Sequence, residues 1–237
     1  MRSPGRRRSN KRPSRLVVGL GNPGRRYGRT FHNAGFAAVE LLARSLGIRL
    51  AASGEIEYGV GDAFGVTVLL ARPQTYMNRS GLAVAPLYRD YAGSPEDLIV
   101  IHDDLDIPLG EVRLKRGGGT GGHNGLRSLQ DELGTPAFLR IRVGIGRPPE
   151  GIDPADYVLS PVPAEASDLF LGGVASAGEA AREILRDGFD KAMTRWNVRR
   201  FEKRPQSADA DILLAPGEKS GGSISRKEAK KSDADEV

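Results

Sequence analysis

Short apolar runs alternate along the chain with stretches in which apolar residues recur every three or four positions. Leu16–Leu20 reads as a buried strand, and Asn33–Leu46 has the helical period. Two more strand patterns follow at 55–61 and 66–71, the second passing through Pro73 into a loop, and then comes a helix at 80–91. Leu98–His102 is the strongest buried strand. Beyond it, 111–116 reads as a strand, 124–132 as a helix, and 138–145, F-L-R-I-R-V-G-I, as a strand with strict alternation. Residues 163–197 have helical pattern, expected to break near Gly172, Gly173 and Gly188. No fixed-period repeat is visible. Strands interleaved with helices predict an α/β fold: a single domain with a twisted mixed β-sheet sandwiched between helices, spanning 15–202.

Composition sharpens this picture at the ends. The chain of 237 residues carries a net charge of +5, yet residues 1–15 hold seven cations and no acid, and residues 203–237 hold seven charges of each sign. The segment 16–202 is therefore about −2, so an anion-binding surface on the folded part has to be a local cluster. Residues 1–14 are expected to be a disordered basic arm and 203–237 a disordered polar tail, since neither holds enough apolar surface to offset the entropy of ordering. An Arg-rich, acid-poor start also suits an organellar transit peptide or a nucleic-acid contact. With no cysteine there is no disulfide, thiolate metal site or cysteine nucleophile, and no apolar run is long enough for a membrane span. The expected compartment is the cytosol.

Three places carry candidate chemistry. Gly19-Leu-Gly21-Asn22-Pro23-Gly24 has the spacing of a dinucleotide loop, but six residues separate its last glycine from Phe31, short of the helical period, and the acid about 20 residues on, Glu40, falls mid-helix. What a plain glycine turn leaves unexplained is Asn22, whose amide offers a donor and an acceptor at a strand end. All three histidines stand beside Asn or Asp: His32-Asn33, His102-Asp103 and His123-Asn124. His32 is the best general base, and Asp103, ending the strongest strand, is placed to hold its tautomer. The run Asp103, Asp104, Asp106 could also take a hard cation, but it lacks the glycine and distal glutamate of a calcium loop. No G-x-S-x-G elbow occurs, so activated water is the simplest attacker. The third place, Lys115 to Gly125, is glycine-rich without the ending of a Walker loop; its exposed amides, and the free N–H groups of a helix opened by Asn124, suit an anion or a polarised carbonyl.

Five ordered motifs, G-L-G-N-P-G-x-x-Y (19–27), F-H-N-A-G-F (31–36), R-P-Q-T-Y-M-N-R-S-G (72–81), H-D-D-L-D-I-P-L-G (102–110) and G-G-G-T-G-G-H-N-G-L (117–126), resemble bacterial peptidyl-tRNA hydrolase over about residues 15–200. The resemblance implies an α/β domain that hydrolyses the ester between a peptide and the 3′-terminal ribose of tRNA, recycling tRNA from aborted translation. It implies no cofactor, no metal, no membrane and no protein partner, the working unit being a monomer on peptidyl-tRNA. By the family pattern His32 activates water, Asp103 orients the His32 ring, and Asn22 contacts the peptide. Asn78 and Asn124 hold peptide backbone and the ester region, Tyr27 and Tyr76 line the cleft with Met77 beside them, and Lys115 and Arg142 clamp the tRNA 5′-phosphate. The chain departs from the pattern at Phe31, where the family usually has Arg, and in a minor way at Tyr76, where many members have Phe. A relative on this scaffold that serves intron splicing by binding RNA, and a metal-dependent phosphoesterase using the Asp run, are the competing classes.

Overall fold

The computed structural model describes residues 14–198. Within them seven strands form one mixed sheet in the order β2-β3-β4-β1-β5-β7-β6. These are β1 (Ser14–Gly19), β2 (Ala51–Ser53), β3 (Ile56–Ala63), β4 (Val66–Pro73), β5 (Leu98–Asp104), β6 (Val112–Arg116) and β7 (Leu139–Gly144). The centre is parallel, β1 pairing with β4 and β5, and β5 with β7, while β2, β3 and β6 pair antiparallel at the margins. The helices are α1 (Ala34–Leu46), α2 (Ser80–Tyr91), α3 (Asn124–Leu133), α4 (Pro154–Leu159), α5 (Ala164–Asp187) and α6 (Phe189–Val198).

Because side chains alternate across a strand, each central strand serves two cores. Val17, Ile99, Ile101 and Ile141 pack under α1, α5 and α6, whereas Leu16, Val18, Leu98, Val100 and Phe138 pack under α2 and α3. This is the predicted layer sandwich, and α2 has the bounds expected from its periodicity.

Four local expectations change. Ser14, expected in the arm, belongs to β1 and is paired with Thr67. The rest of the arm, residues 1–13, and the tail from 203 lie outside the described residues. α5 runs straight through Gly172 and Gly173 and ends only at Gly188. A side chain at Gly173 would meet the Gly110 backbone at 2.8 Å, so this glycine brings a helix onto a loop rather than interrupting it. β2 is a three-residue, fully exposed strand without periodicity, which is why it was not anticipated. α4 is also unanticipated, although its cap is legible: Asp153 accepts from the Ala155 N–H at 2.7 Å and Pro154 takes the first helical position. The outer edge of β6 is closed by one side chain, Asn197, whose amide makes 2.9 Å bonds to both the N–H and the C=O of Leu114.

Candidate active site

The carboxyl ends of the parallel strands β1, β4 and β5 lie side by side, and the loops leaving them carry the site. After β1 the chain makes a 3-10 turn at Arg25–Tyr27 and a second at Phe31–Asn33 before α1 starts. That second turn delivers His32. Phe31 fixes it from behind: it is buried, stacked on Tyr157 of α4 at 4.9 Å and edge-on to Phe170 of α5 at 5.6 Å. An arginine could not occupy this apolar box without burying its charge, so Phe31 belongs to the packing here, while Tyr157 anchors the box by donating its hydroxyl to the Ile145 carbonyl at 2.8 Å.

Asp103, 3% exposed, is the hub. Both its oxygens face His32 Nδ1, at 2.9 and 3.0 Å, and Oδ1 also lies 3.1 Å from His123 Nε2. Burial alone would raise the Asp103 pKa, but the two imidazoles hold it well below the usual carboxylate range, so it is an acceptor at neutral pH. Nδ1 of His32 therefore carries the proton and Nε2 is the bare base. Burial also pushes His32 down, yet the charge of Asp103 and its hydrogen bond outweigh that and leave His32 above its ordinary value of 6.5.

His123 has a role that its sequence position did not disclose. It is the N-cap of α3: its Nδ1 accepts from the N–H groups of Gly125 at 3.1 Å and Leu126 at 3.4 Å. The free helix N–H groups expected beside Asn124 are thus partly taken by protein, which corrects that expectation. The same bonds fix the His123 proton on Nε2, facing Asp103. His32, Asp103 and His123 present ligand atoms within 4.8 Å of one another. His102 is fully buried, donates Nδ1–H to the Asp103 carbonyl at 2.7 Å, and is pushed down to about 3, mainly by burial and then by neighbouring His123.

Asn22 is spent differently from the expectation of a free donor and acceptor. Its Oδ1 accepts from the Met77 N–H at 2.8 Å, leaving the NH2 end to offer. Asn33, which the sequence marked only as a neighbour of His32, pins the Asn22 backbone from both sides, accepting its N–H at 2.9 Å and donating to its carbonyl at 3.0 Å. Met77 is buried against the start of α3, where a Cβ on Gly125 would meet its sulfur at 2.5 Å and His123 Cε1 at 3.1 Å. The loop after β4 and the head of α3 are therefore in contact, and their neighbouring amides, Asn78 and Asn124, are both exposed. Tyr76 stands on the surface at 62% exposure, and Tyr27 is half-buried under Arg26.

The two predicted clamp residues sit on the α3 face of the outer strands, with Arg113 and Arg140, by the register Lys115↔Arg140 and Arg113↔Arg142. Lys115 is exposed. Arg142 is not free: its Nε donates to Asp104 at 2.7 Å, which holds Asp104 below its usual range against burial. Asp106 pairs with Arg147 at 2.5 Å. The run Asp103, Asp104, Asp106 thus points to three different partners and does not converge on a cation.

The family profile described as peptidyl-tRNA hydrolase matches residues 16–206. The peptidyl-tRNA hydrolase of Moorella thermoacetica is 52% identical over 184 residues, covering 77% of this chain and 97% of that protein. That of Mycobacterium tuberculosis is 47% identical over 184 residues, covering 76% and 95%. The crystal structure of peptidyl-tRNA hydrolase from Acinetobacter baumannii superposes with a TM-score of 0.73 at 40% identity, covering 80% of this chain and 97% of that one. A His and Asp pair at the strand ends, amides on the loops around it and a match along nearly the whole described domain lead to one assignment: the chain belongs to the peptidyl-tRNA hydrolase family.

Proposed function

We propose that this chain hydrolyses peptidyl-tRNA with water activated at His32 Nε2. The observation that carries the reading is the buried pairing of His32 Nδ1 with both oxygens of Asp103, which leaves the other ring nitrogen unprotonated and turned away from its partner. A water held there gives its proton to Nε2 as its oxygen attacks the ester carbonyl. The tetrahedral intermediate collapses, the ribose 3′-oxygen leaves with the proton from the imidazolium, and the free peptide acid and tRNA are released. Asp103 stays ionised throughout and stabilises the charged ring.

The NH2 end of Asn22, with Asn78 and Asn124, supplies donors for the peptide backbone and for the oxygen on which charge develops. Tyr27, Tyr76 and Met77 line the path of the peptide. Lys115 and Arg142 take a tRNA phosphate, with Arg142 poised by Asp104. We infer a single chain as the working unit, in the cytosol, with no cofactor; among the described residues no helix is long and apolar enough to cross a membrane. Release of peptide from an N-acylated aminoacyl-tRNA tests the reading, with unblocked aminoacyl-tRNA and EDTA as controls. Release that EDTA abolishes, or that His32→Ala leaves undiminished, would overturn it.

A further inference from the structure

The segment between β7 and α5 touches the core at few points. No residue of α4 is buried: Tyr157 and Val158 are half-buried, and Ile152 and Leu159 stand exposed. A six-residue helix with so thin a contact has little stability of its own. Its tyrosine nevertheless makes two directed contacts. The ring stacks on Phe31, the neighbour of His32, and the hydroxyl donates to the Ile145 carbonyl just past the end of β7. Leucine at 157 could fill the same apolar space and would make neither contact, whereas a tyrosine supplies a flat face and a polar tip together.

Followed onward from Ile145, the contacts return to the active site. The Ile145 N–H donates to the Asp104 carbonyl at 3.0 Å, and Asp104 follows Asp103 on β5. A ring thus closes through His32, Phe31, Tyr157, Ile145, Asp104 and Asp103, its last link being the 2.9 Å contact of Asp103 with His32. The two partners differ in how firmly their own segments hold them. Asp103 is part of the β-ladder, opposite Val143. His32 sits in a three-residue 3-10 turn, whose hydrogen bonds are poorer in geometry than those of an α-helix. The chain just before that turn is tied to the chain just after α4: Thr30 bridges Pro161, and the Val162 N–H donates to the Arg29 carbonyl at 2.9 Å. Tyr157 is the strut between a soft turn and a rigid strand end.

We propose that Tyr157 is a positioning residue for hydrolysis: stacked on Phe31 and bonded to Ile145, it sets the distance and angle at which His32 meets Asp103. This rests on the hydrolase reading. The sequence departure at Phe31 belongs to the same device, since an aromatic ring there gives Tyr157 a surface to stack on. Misplacing a catalytic group by about 1 Å can cost about 10²-fold in rate.

The test compares the wild-type full chain with Tyr157→Phe, which keeps the stack and loses the hydroxyl, Tyr157→Leu, which loses both, and Leu159→Ala, an exposed change on the same helix. Peptide release gives kcat and KM, and 15N NMR of the imidazole nitrogens gives the His32 titration without turnover. Tyr157→Leu should lower kcat about tenfold with KM unchanged, Tyr157→Phe a few-fold, and Leu159→Ala not at all. Leucine keeps His32 covered from water, so a looser bond to Asp103 should lower the His32 pKa, and Tyr157→Phe should lower it less. The other imidazole beside His32, that of His123, stands 4.9 Å away and is untouched by these changes. Phe31→Leu combined with Tyr157→Leu should cost no more than the costlier single change, because one ring is broken once. The proposal falls if the His32 titration stays at its wild-type position, if KM alone rises, or if the two single costs multiply. Tyr157→Phe, being nearly isosteric, decides the matter should the leucine variant fail to fold. A wild-type chain that releases no peptide loses the hydrolase reading, and the NMR titration then still shows whether Tyr157 sets the contact of His32 with Asp103.

Discussion

Asp103 and Asp104 are adjacent in sequence and end the same strand, yet they serve different halves of the molecule. Asp103 is buried between two imidazoles, and Asp104, on the other face of β5, holds Arg142. Strand alternation alone separates them. The same carboxylate orients an imidazole on one face, that of His32, and on the other tethers a guanidinium that never gives up its proton. Rate should follow the first face, and affinity and salt dependence the second.

The sharpest way to break that division is His32→Ala. It should lower kcat by about two to four decades, the usual worth of a general base, while tRNA binding stays nearly intact. A loss mainly in affinity would place His32 on the binding face.

Asp103→Asn should cost less than the histidine change, and it should move the pH profile. In the proposed mechanism His32 works only when neutral, and Asp103 keeps its pKa above 6.5, so the acid limb of kcat/KM is expected above that pH. Removing the carboxylate leaves burial as the dominant influence on His32, and the limb should then shift to lower pH. The linkage to stability has the same origin. The fold favours charged His32, so that stabilisation is complete below 6.5 and is lost as pH rises through the higher folded value. A limb that stays in place in Asp103→Asn would mean that another group sets it.

On the other face, Lys115→Ala and Arg142→Ala should each weaken tRNA binding and flatten the slope of log K against log salt by about one, with kcat at saturation barely moved. An unchanged slope in both variants would take the phosphate off these residues. The smallest effect is expected from Asp104→Asn. Freed from its counter-charge, Arg142 should bind tRNA a few-fold more tightly with a steeper salt slope, in keeping with the modest worth of a partly exposed ion pair. A fall in kcat matching that of Asp103→Asn would erase the distinction between the neighbours.

The sequence alone determined the layer order, the bounds of α2, the near bounds of the central strands, and the presence of His32, Asp103 and the amides at strand ends. These rest on periodicity and on chemistry that each residue type carries wherever it lies. Gly173 was misread because a helical glycine looks like a break until the loop packed against it is seen. His123 as cap and second partner of Asp103, Asn33 as the pin on Asn22, Tyr157 beneath Phe31, and the tie between Asp104 and Arg142 were decided by the tertiary structure. Each joins residues that are distant in the chain or turned by a local bend, and such a bond depends on which face of which strand meets which loop, a relation that no single segment encodes.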